Sequence, residues 1–229
     1  MKCDVEPCNC LICKERCSFF SRLDPAELDR VNAVKRSVEF SKGEPILKKG
    51  AFNPYVELIS GGYVKVTLQE SGGKSFVTEV LGPHHFISTN ILNEGVNQYL
   101  VTALTRAVIC YIPQSVFQEL LENSGVFGVD FIRYMNQRQE ILRERLHSIT
   151  LKQSRGKLAD AILYIDSLNH GGEVFNALSR KDLADMANIS MENAIRTLRE
   201  FEQEGIISTQ KKDIAILKRD VLLQISRLG

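Results

Sequence analysis

Residues 177–208 read ALSRKDLADMANISMENAIRTLREFEQEGIIS, two short helical patterns split by a tight break and followed by the start of a β-ribbon. Ser179 precedes Arg180-Lys181-Asp182 as an N-cap, its hydroxyl placed to satisfy an orphan amide of a helix whose Leu183, Ala184 and Met186 face inward. Ala187-Asn188-Ile189 ends that helix, and Asn188 suits the turn because Asn tolerates the left-handed backbone conformation. Ser190, with Asn193, caps a second helix. Its Ala194, Ile195, Leu198 and Phe201 recur at i, i+1, i+4 and i+7 and are expected to form the inner stripe. Met191, Glu192, Asn193, Arg196 and Arg199 are left outside. This is the geometry that lays a recognition helix in a DNA major groove, although an ordinary helical hairpin has the same spacing.

Detailed resemblance separates the two. Ser179-Arg180-Lys181-Asp182-Leu183-Ala184 and Ser190-Met191-Glu192-Asn193-Ala194-Ile195-Arg196, running on to Gly205-Ile206-Ile207-Ser208, resemble the winged helix-turn-helix of the Crp/Fnr transcription factors. Two positions depart from the family pattern: Asn188 stands where Gly is usual, and Met191 where some members have Arg. The candidate DNA contacts are Ser179, Arg180, Ser190, Met191, Glu192, Asn193, Arg196 and Arg199. Lys211 and Lys212, at the tip of a wing running from Gly205 to Leu217, are candidate phosphate contacts. Plain solubility would select the same two lysines. The resemblance implies that Glu192 and Arg196 read a G-A step in each half of a palindrome.

The chain has 229 residues, a length comfortable for two domains, and a net charge of +1 that argues neither for nor against nucleic acid. No apolar run approaches the ~20 residues of a membrane span, and the N-terminus lacks the apolar core of a signal peptide. A cytoplasmic location is expected.

From Asp24 the pattern predicts a helix, with Asp24 as cap, Pro25 at the first helical position, and Leu28, Val31 and Val34 inward. Between Phe40 and Pro113, short β-rich runs are punctuated by glycines, which indicates a sandwich or barrel. Tyr63 to Leu68 alternates, and Glu70-Ser71-Gly72-Gly73-Lys74 is a hairpin loop leading to Phe76–Leu81. This texture resembles the double-stranded β-helix (jelly-roll) sensor domain of the same family. In its cyclic-nucleotide-binding members a Gly-Glu pair and a downstream Arg hold the ribose and phosphate. Here Ser88 and Thr89 occupy the Gly and Glu places and Asn97 the Arg place, so the strongest contacts are missing and cAMP binding is not expected.

Ser124 to Thr150 reads as one long helix. Ile132, Gln139 and Leu146 form one seam position and Met135, Leu142 and Ile149 the other, flanked by charged Arg133, Arg138, Glu140, Arg143, Glu144 and Arg145. A helix packed on its own barrel would show a similar stripe. Seven-residue spacing sustained through Ile149 favours a coiled coil between protomers, and the resemblance implies the same parallel homodimer. Gly156 to Leu168 is a further helix opening the DNA-binding part, and Asn169-His170-Gly171-Gly172 is a loop. The expected architecture is α+β: a cysteine-rich tail (1–18), a β-roll sensor (19–123), a dimerisation helix (124–150) and a winged helix-turn-helix domain (151–229). Double-stranded DNA, a second copy of the chain and RNA polymerase are the expected partners.

Five of the six cysteines crowd into the first seventeen residues: Cys3, Cys8, Cys10, Cys13 and Cys17. In a cytosolic chain, clustered thiols are free or bind metal, and soft thiolates suit zinc or an iron-sulfur cluster. A second CxxC is absent. The run Arg106-Ala107-Val108-Ile109-Cys110-Tyr111-Ile112-Pro113 resembles the strand of oxygen-sensing Fnr proteins that carries a fourth cluster ligand. The resemblance thus implies a 4Fe-4S cluster on Cys10, Cys13, Cys17 and Cys110, with Cys8 as substitute. Only three residues separate Cys13 from Cys17, fewer than in the family pattern. By itself, a lone Cys in an apolar strand is ordinarily a small buried hydrophobe. A second effector reading places haem, a gas or a small organic molecule in the β-roll. A reading from another class, a barrel-fold metal enzyme, would need ligands that His84, His85, His147 and His170 do not supply, and no phosphate loop or nucleophile elbow is present.

Overall fold

The computed structural model describes residues 18–69, 75–87, 95–168 and 173–229. Contacts divide the chain into two compact units. One is formed by the chain up to Val64 with Leu81–Gln139, the other by Lys65–Val80 with Glu140–Gly229.

The first unit begins with a 3-10 turn, Ser18–Arg22, and helix α1, Pro25–Val34. Asp24 and Glu27 form a reciprocal capping box, the Asp24 carboxylate accepting from the Glu27 amide at 2.8 Å and Glu27 from the Asp24 amide at 2.9 Å. Strands β1 (Arg36–Phe40), β7 (Ala107–Pro113) and β3 (Tyr55–Gly61) make an antiparallel sheet in the order β1-β7-β3, while β2 (Pro45–Leu47) pairs with β6 (Leu100–Ala103). In the first sheet Cys110 lies opposite Ser37 on one side and Leu58 on the other. Alternation then puts Val56, Leu58, Cys110 and Ile112 on one face, where they join Phe20, Leu28, Val31, Phe86 and Phe117 in a single core cluster. Glu57 and Tyr111 fall on the opposite face. Helix α2, Gln114–Asn123, follows β7 directly and contributes Phe117 and Leu120 to the same cluster. Edge-to-face rings fill its centre, with Phe86 5.3 Å from Phe117 and 5.6 Å from Phe131 between ring centroids.

Gly62, φ +75°, turns the chain after β3 so closely against the opposite loop that an added Cβ would stand 2.1 Å from the Arg106 carbonyl oxygen. Only glycine fits.

Helix α3, Gly125–Leu151, is the long helix expected over Ser124–Thr150. Arg138, named above among the charged flanks of the seam, is 7 % exposed, and its guanidinium donates to the Phe86 carbonyl at 2.5 Å and the Ile87 carbonyl at 3.2 Å. A buried guanidinium needs such acceptors, because it cannot lose its charge. Along the proposed seam, Ile132 and Leu146 are each 61 % exposed, Leu142 39 %, and Gln139 is exposed too. Ile149 is half-buried, and Met135 packs partly against the core cluster of its own unit.

The second unit holds neighbouring strands β4 (Val64–Gln69) and β5 (Ser75–Leu81), followed after α3 by helix α4 (Ser154–Leu168), helices α5 (Glu173–Ala177), α6 (Arg180–Ala187) and α7 (Met191–Gln203), the β8–β9 ribbon (Ile207–Gln210 and Asp213–Ile216) and helix α8 (Arg219–Leu228). Leu158, Ile162 and Ile165 of α4 are fully buried, and α6, α7 and α8 pack on that helix. Gly156 of α4 lies so close to Gly229 that an added Cβ would meet its backbone at 2.9 Å. Arg145 of α3, named above among the charged flanks, is half-buried between the rings of Phe76 (5.7 Å) and Tyr164 (5.2 Å) and donates to the carbonyls of Val77 and Met186. Burial pushes its pKa down.

Candidate nucleic-acid interface

The two helices of residues 177–208 are fixed by their caps. Ser179 accepts from the Asp182 amide at 3.0 Å, and the Asp182 carboxylate accepts from the Ser179 amide at 2.8 Å and its hydroxyl at 2.7 Å. Lys65 adds an ion pair to the other carboxylate oxygen at 2.5 Å. Burial pushes the Asp182 pKa up, but the hydrogen bonds from Lys65 and Ser179 outweigh it and hold the carboxyl below its ordinary value. Asn188 adopts φ 49°, ψ 49°, the left-handed turn anticipated from its type. Ser190 caps α7 by accepting from the Asn193 amide at 3.2 Å.

On α7 the buried face is Ala194, Thr197, Leu198 and Phe201. Ile195, assigned above to that stripe, is only half-buried and lines the opposite side, and Thr197, at 2 % exposure, takes its place inside. Glu192, Ile195, Arg196, Arg199, Glu200 and Gln203 surround an open hollow of about 450 Å³ on that outer face. Hydrogen bonds from its own backbone amide and from Ser190 hold the Glu192 carboxyl below its usual range. The Arg196 side chain, 69 % exposed, donates to the Asn193 side-chain oxygen at 2.9 Å and lies 3.8 Å from Glu200. An ionised acceptor and an extended, always-charged donor therefore stand four residues apart on one helix face, the pairing suited to cytosine amine and guanine acceptors.

Two further residues hold this face in place, and neither was marked by the sequence. Arg155, at the start of α4, grips Glu204 with both guanidinium nitrogens at 2.9 Å, reaches Glu200 at 3.2 Å and stacks on the Phe201 ring at 5.1 Å. Glu202 accepts from the Thr209 amide at 3.0 Å and hydroxyl at 2.7 Å, tying α7 to the wing. The partners of Arg155 lie in a distant segment, and that of Glu202 lies across the turn into β8, so no helix-spacing motif could reveal them. In the ribbon Gln210 pairs with Asp213, leaving Lys211-Lys212 as a two-residue turn with Lys211 at φ 57°. Arg180 donates to the Lys211 carbonyl at 3.1 Å, joining the start of α6 to the wing tip, and burial lowers its pKa.

In the other unit, Cys110 is 5 % exposed with its Sγ 3.4 Å from the Ser37 hydroxyl. Cys8, Cys10, Cys13 and Cys17 lie outside the described residues, as do Ser88, Thr89, the 70–74 loop and 169–172. Asn97 donates its amide to the carbonyls of Lys48 and Tyr99, tying the segment before β6 to the residue that follows β2. His84, at φ 68°, and His85, whose Nδ1 lies 3.1 Å from the Pro83 carbonyl, sit in the turn after Gly82. Among the described residues no group of three or more His, Cys, Asp or Glu is placed to hold a metal ion, and no helix is long and apolar enough to cross a membrane.

A Crp-like helix-turn-helix domain model matches residues 156–225 and a cyclic nucleotide-binding domain model residues 37–124. This chain belongs to the Crp/Fnr family. It is a Crp/Fnr-type transcription regulator with a helix-turn-helix DNA-binding domain. Members of the Crp/Fnr family are transcription regulators, not a class of enzymes, and the family implies DNA binding and dimer formation. Among curated relatives, an anaerobic regulatory protein of Haemophilus influenzae is 23 % identical over 212 residues, covering 89 % of this chain and 82 % of the relative. The transcriptional activator protein FnrL of Cereibacter sphaeroides is 22 % identical over 202 residues, covering 84 % and 80 %. Among solved structures, FixK2 from Bradyrhizobium japonicum superposes with a TM-score of 0.76 at 15 % identity, over 86 % of this chain and 99 % of that one, a likeness of fold. The jelly-roll sensor, long helix and C-terminal helix-turn-helix of the Crp/Fnr fold are thus present.

Proposed function

We propose that this regulator acts as a cytoplasmic homodimer on palindromic DNA, reading each half-site with Glu192 and Arg196 and contacting phosphates through Ser179, Arg180, Ser190, Asn193, Arg199, Lys211 and Lys212. The observation that carries this reading is the outer face of α7, where the ionised Glu192 and the extended Arg196 share one hollow. Met191, 47 % exposed, stands at the leading end of the same helix. The seam of Ile132, Met135, Gln139, Leu142, Leu146 and Ile149 pairs the protomers, so that two recognition helices meet half-sites about one helical turn apart. RNA polymerase is the protein partner through which bound dimers act. Selection from random DNA should return a palindrome; Arg196→Ala should then relax preference at one base pair of each half-site, while Lys211→Ala weakens all sequences alike. An unchanged base preference in Arg196→Ala overturns the assignment.

The signal belongs to the same proposal: a 4Fe-4S cluster held by Cys10, Cys13, Cys17 and Cys110, with Cys8 as substitute. Two features favour it. Phe20, three residues after Cys17 in the sequence, packs in the same cluster as Cys110. The Ser37 hydroxyl beside Sγ is a hydrogen-bond partner of the kind that tunes cluster potentials. Cys10, Cys13, Cys17 and Cys110 would hold the cluster, which would supply an oxygen-labile link between the N-terminal cysteines and strand β7 and so bias the DNA-competent population. Anaerobic reconstitution with iron and sulfide should give a broad visible absorption that bleaches in air and is absent in Cys110→Ser. Stoichiometric zinc, or no metal with unchanged DNA binding, would refute it.

One observation favours a second reading, a small effector bound directly by the β-roll. Glu57 is fully buried on the face of β3 turned away from the core cluster, accepts from the Asn53 amide, and together with burial pushes the Tyr111 pKa well up. Those groups would select a ligand that donates hydrogen bonds, and Asn97 in place of an Arg argues against a cyclic nucleotide phosphate.

A further inference from the structure

Ile195 is an aliphatic side chain on the outer side of α7, half-buried and not part of the helix's buried stripe. Ala194, Thr197, Leu198 and Phe201 already supply the buried face, whereas Ile195 lines the outer hollow beside Glu192, Arg196 and Arg199. It makes no hydrogen bond and reads no donor or acceptor. The apolar feature that a major groove presents is the C5-methyl group of thymine. Isoleucine suits that target because its β-branch holds one χ1 rotamer in a helix, so the same methyl surface is presented without further ordering on binding.

We propose that Ile195 is a specificity-determining residue that packs on the C5-methyl of one thymine in each half-site. The proposal rests on the DNA-reading role of the Glu192 and Arg196 face. Three residues of helix rise about 4.5 Å, close to one base-pair step of about 3.4 Å, so this thymine belongs to a pair adjacent to the one read by Glu192. Ile195 thereby converts a two-residue readout into a three-residue one, its contribution made by shape and desolvation where its neighbours contribute charge.

Uracil, which is thymine without the methyl group, tests this without changing a single hydrogen bond. The full-length protein is titrated against its selected duplex and against duplexes in which thymines are replaced one position at a time by uracil. One position per half-site should weaken binding about fourfold, and about fourteenfold when substituted in both halves, the effect of roughly one buried methyl each. In Ile195→Ala the uracil penalty at that position should vanish while the base preference set by Arg196 remains; Ile195→Val should keep the penalty. Alanine is the better helix former and the site is outside the core, so the variant is expected to fold, which helical circular dichroism will verify. A selected duplex indifferent to uracil at every position overturns the thymine contact. So does a penalty that survives in Ile195→Ala or is removed by Met191→Ala instead. Failure to select any duplex sinks the underlying DNA-reading assignment, a distinguishable result.

Discussion

Replacing Asp182 by Asn should loosen the first helix of the DNA-binding motif, and by a predictable amount. The carboxylate offers two oxygens: one accepts from the Ser179 amide and hydroxyl, the other from the Lys65 ammonium. An amide offers one oxygen and one NH2, so either Ser179 or Lys65 must face a donor. Loss of half the capping box costs about 1 kcal/mol, and weakening a half-buried charge-assisted contact a further 1 to 2 kcal/mol, giving about 2 to 3 kcal/mol in all. For a chain of this size that corresponds to a fall of roughly 5 to 10 °C in the unfolding midpoint of the unit.

The sign with pH follows from the same contacts. The folded pKa of Asp182 is lowered, so its stabilisation is present above the unfolded value of roughly 3.9 and is lost as pH falls through the folded pKa. Thermal unfolding of wild type and Asp182→Asn from pH 7 to pH 3 should therefore give curves that are well separated at neutral pH and converge in acid. Amide exchange at Ser179 should rise in the variant at pH 7. A loss below about 1 kcal/mol at pH 7, or a gap that stays undiminished at pH 3, would refute the reasoning.

Leu142→Glu should yield monomers at low micromolar concentration in sedimentation, because each seam would gain unpaired, desolvated charge at a cost of several kcal/mol; a variant that stays dimeric places the interface elsewhere. Gly62→Ala should be destabilised by at least about 3 kcal/mol, with its Cβ forced against the Arg106 carbonyl, whereas Gly43→Ala, at φ +85° in open space, should lose only about 1 kcal/mol. Equal losses in denaturant titrations of the two variants would show that Gly62 is held by conformation alone and not by the close approach.

What was legible in the sequence was local. Ser179, Asn188 and Ser190 announce their caps and turn because each satisfies or relieves its own backbone, and the left-handed Asn188 follows from its type. The face of α7 was misread at one residue for a geometric reason. Ile195 lies about 100° around the axis from Ala194, while Thr197 lies about 60° away on the other side, so an apolar count favoured the wrong neighbour. The inward contacts of Arg138 and Arg145 were not legible because their acceptors, the carbonyls of Phe86, Ile87, Val77 and Met186, are dozens of residues away. Arg155 was invisible for the same cause, its acceptors Glu200 and Glu204 lying more than forty residues away. Helices α2, α5 and α8 were missing from the sequence reading, although Val116, Phe117, Leu120 and Leu121 of α2 and Val221, Leu222, Ile225 and Leu228 of α8 recur at helical spacing.

The two bonds from Arg138 to the carbonyls of Phe86 and Ile87 also have a mechanical meaning. A guanidinium shared between successive carbonyls keys α3 against rotation about its own axis: the helix cannot turn unless that backbone turns with it or two charge-assisted bonds break. The next residue along, Gln139, projects about 100° further round toward the proposed seam. A displacement at Ile87 would thus reach α3 as torque, turning the face that carries the proposed seam.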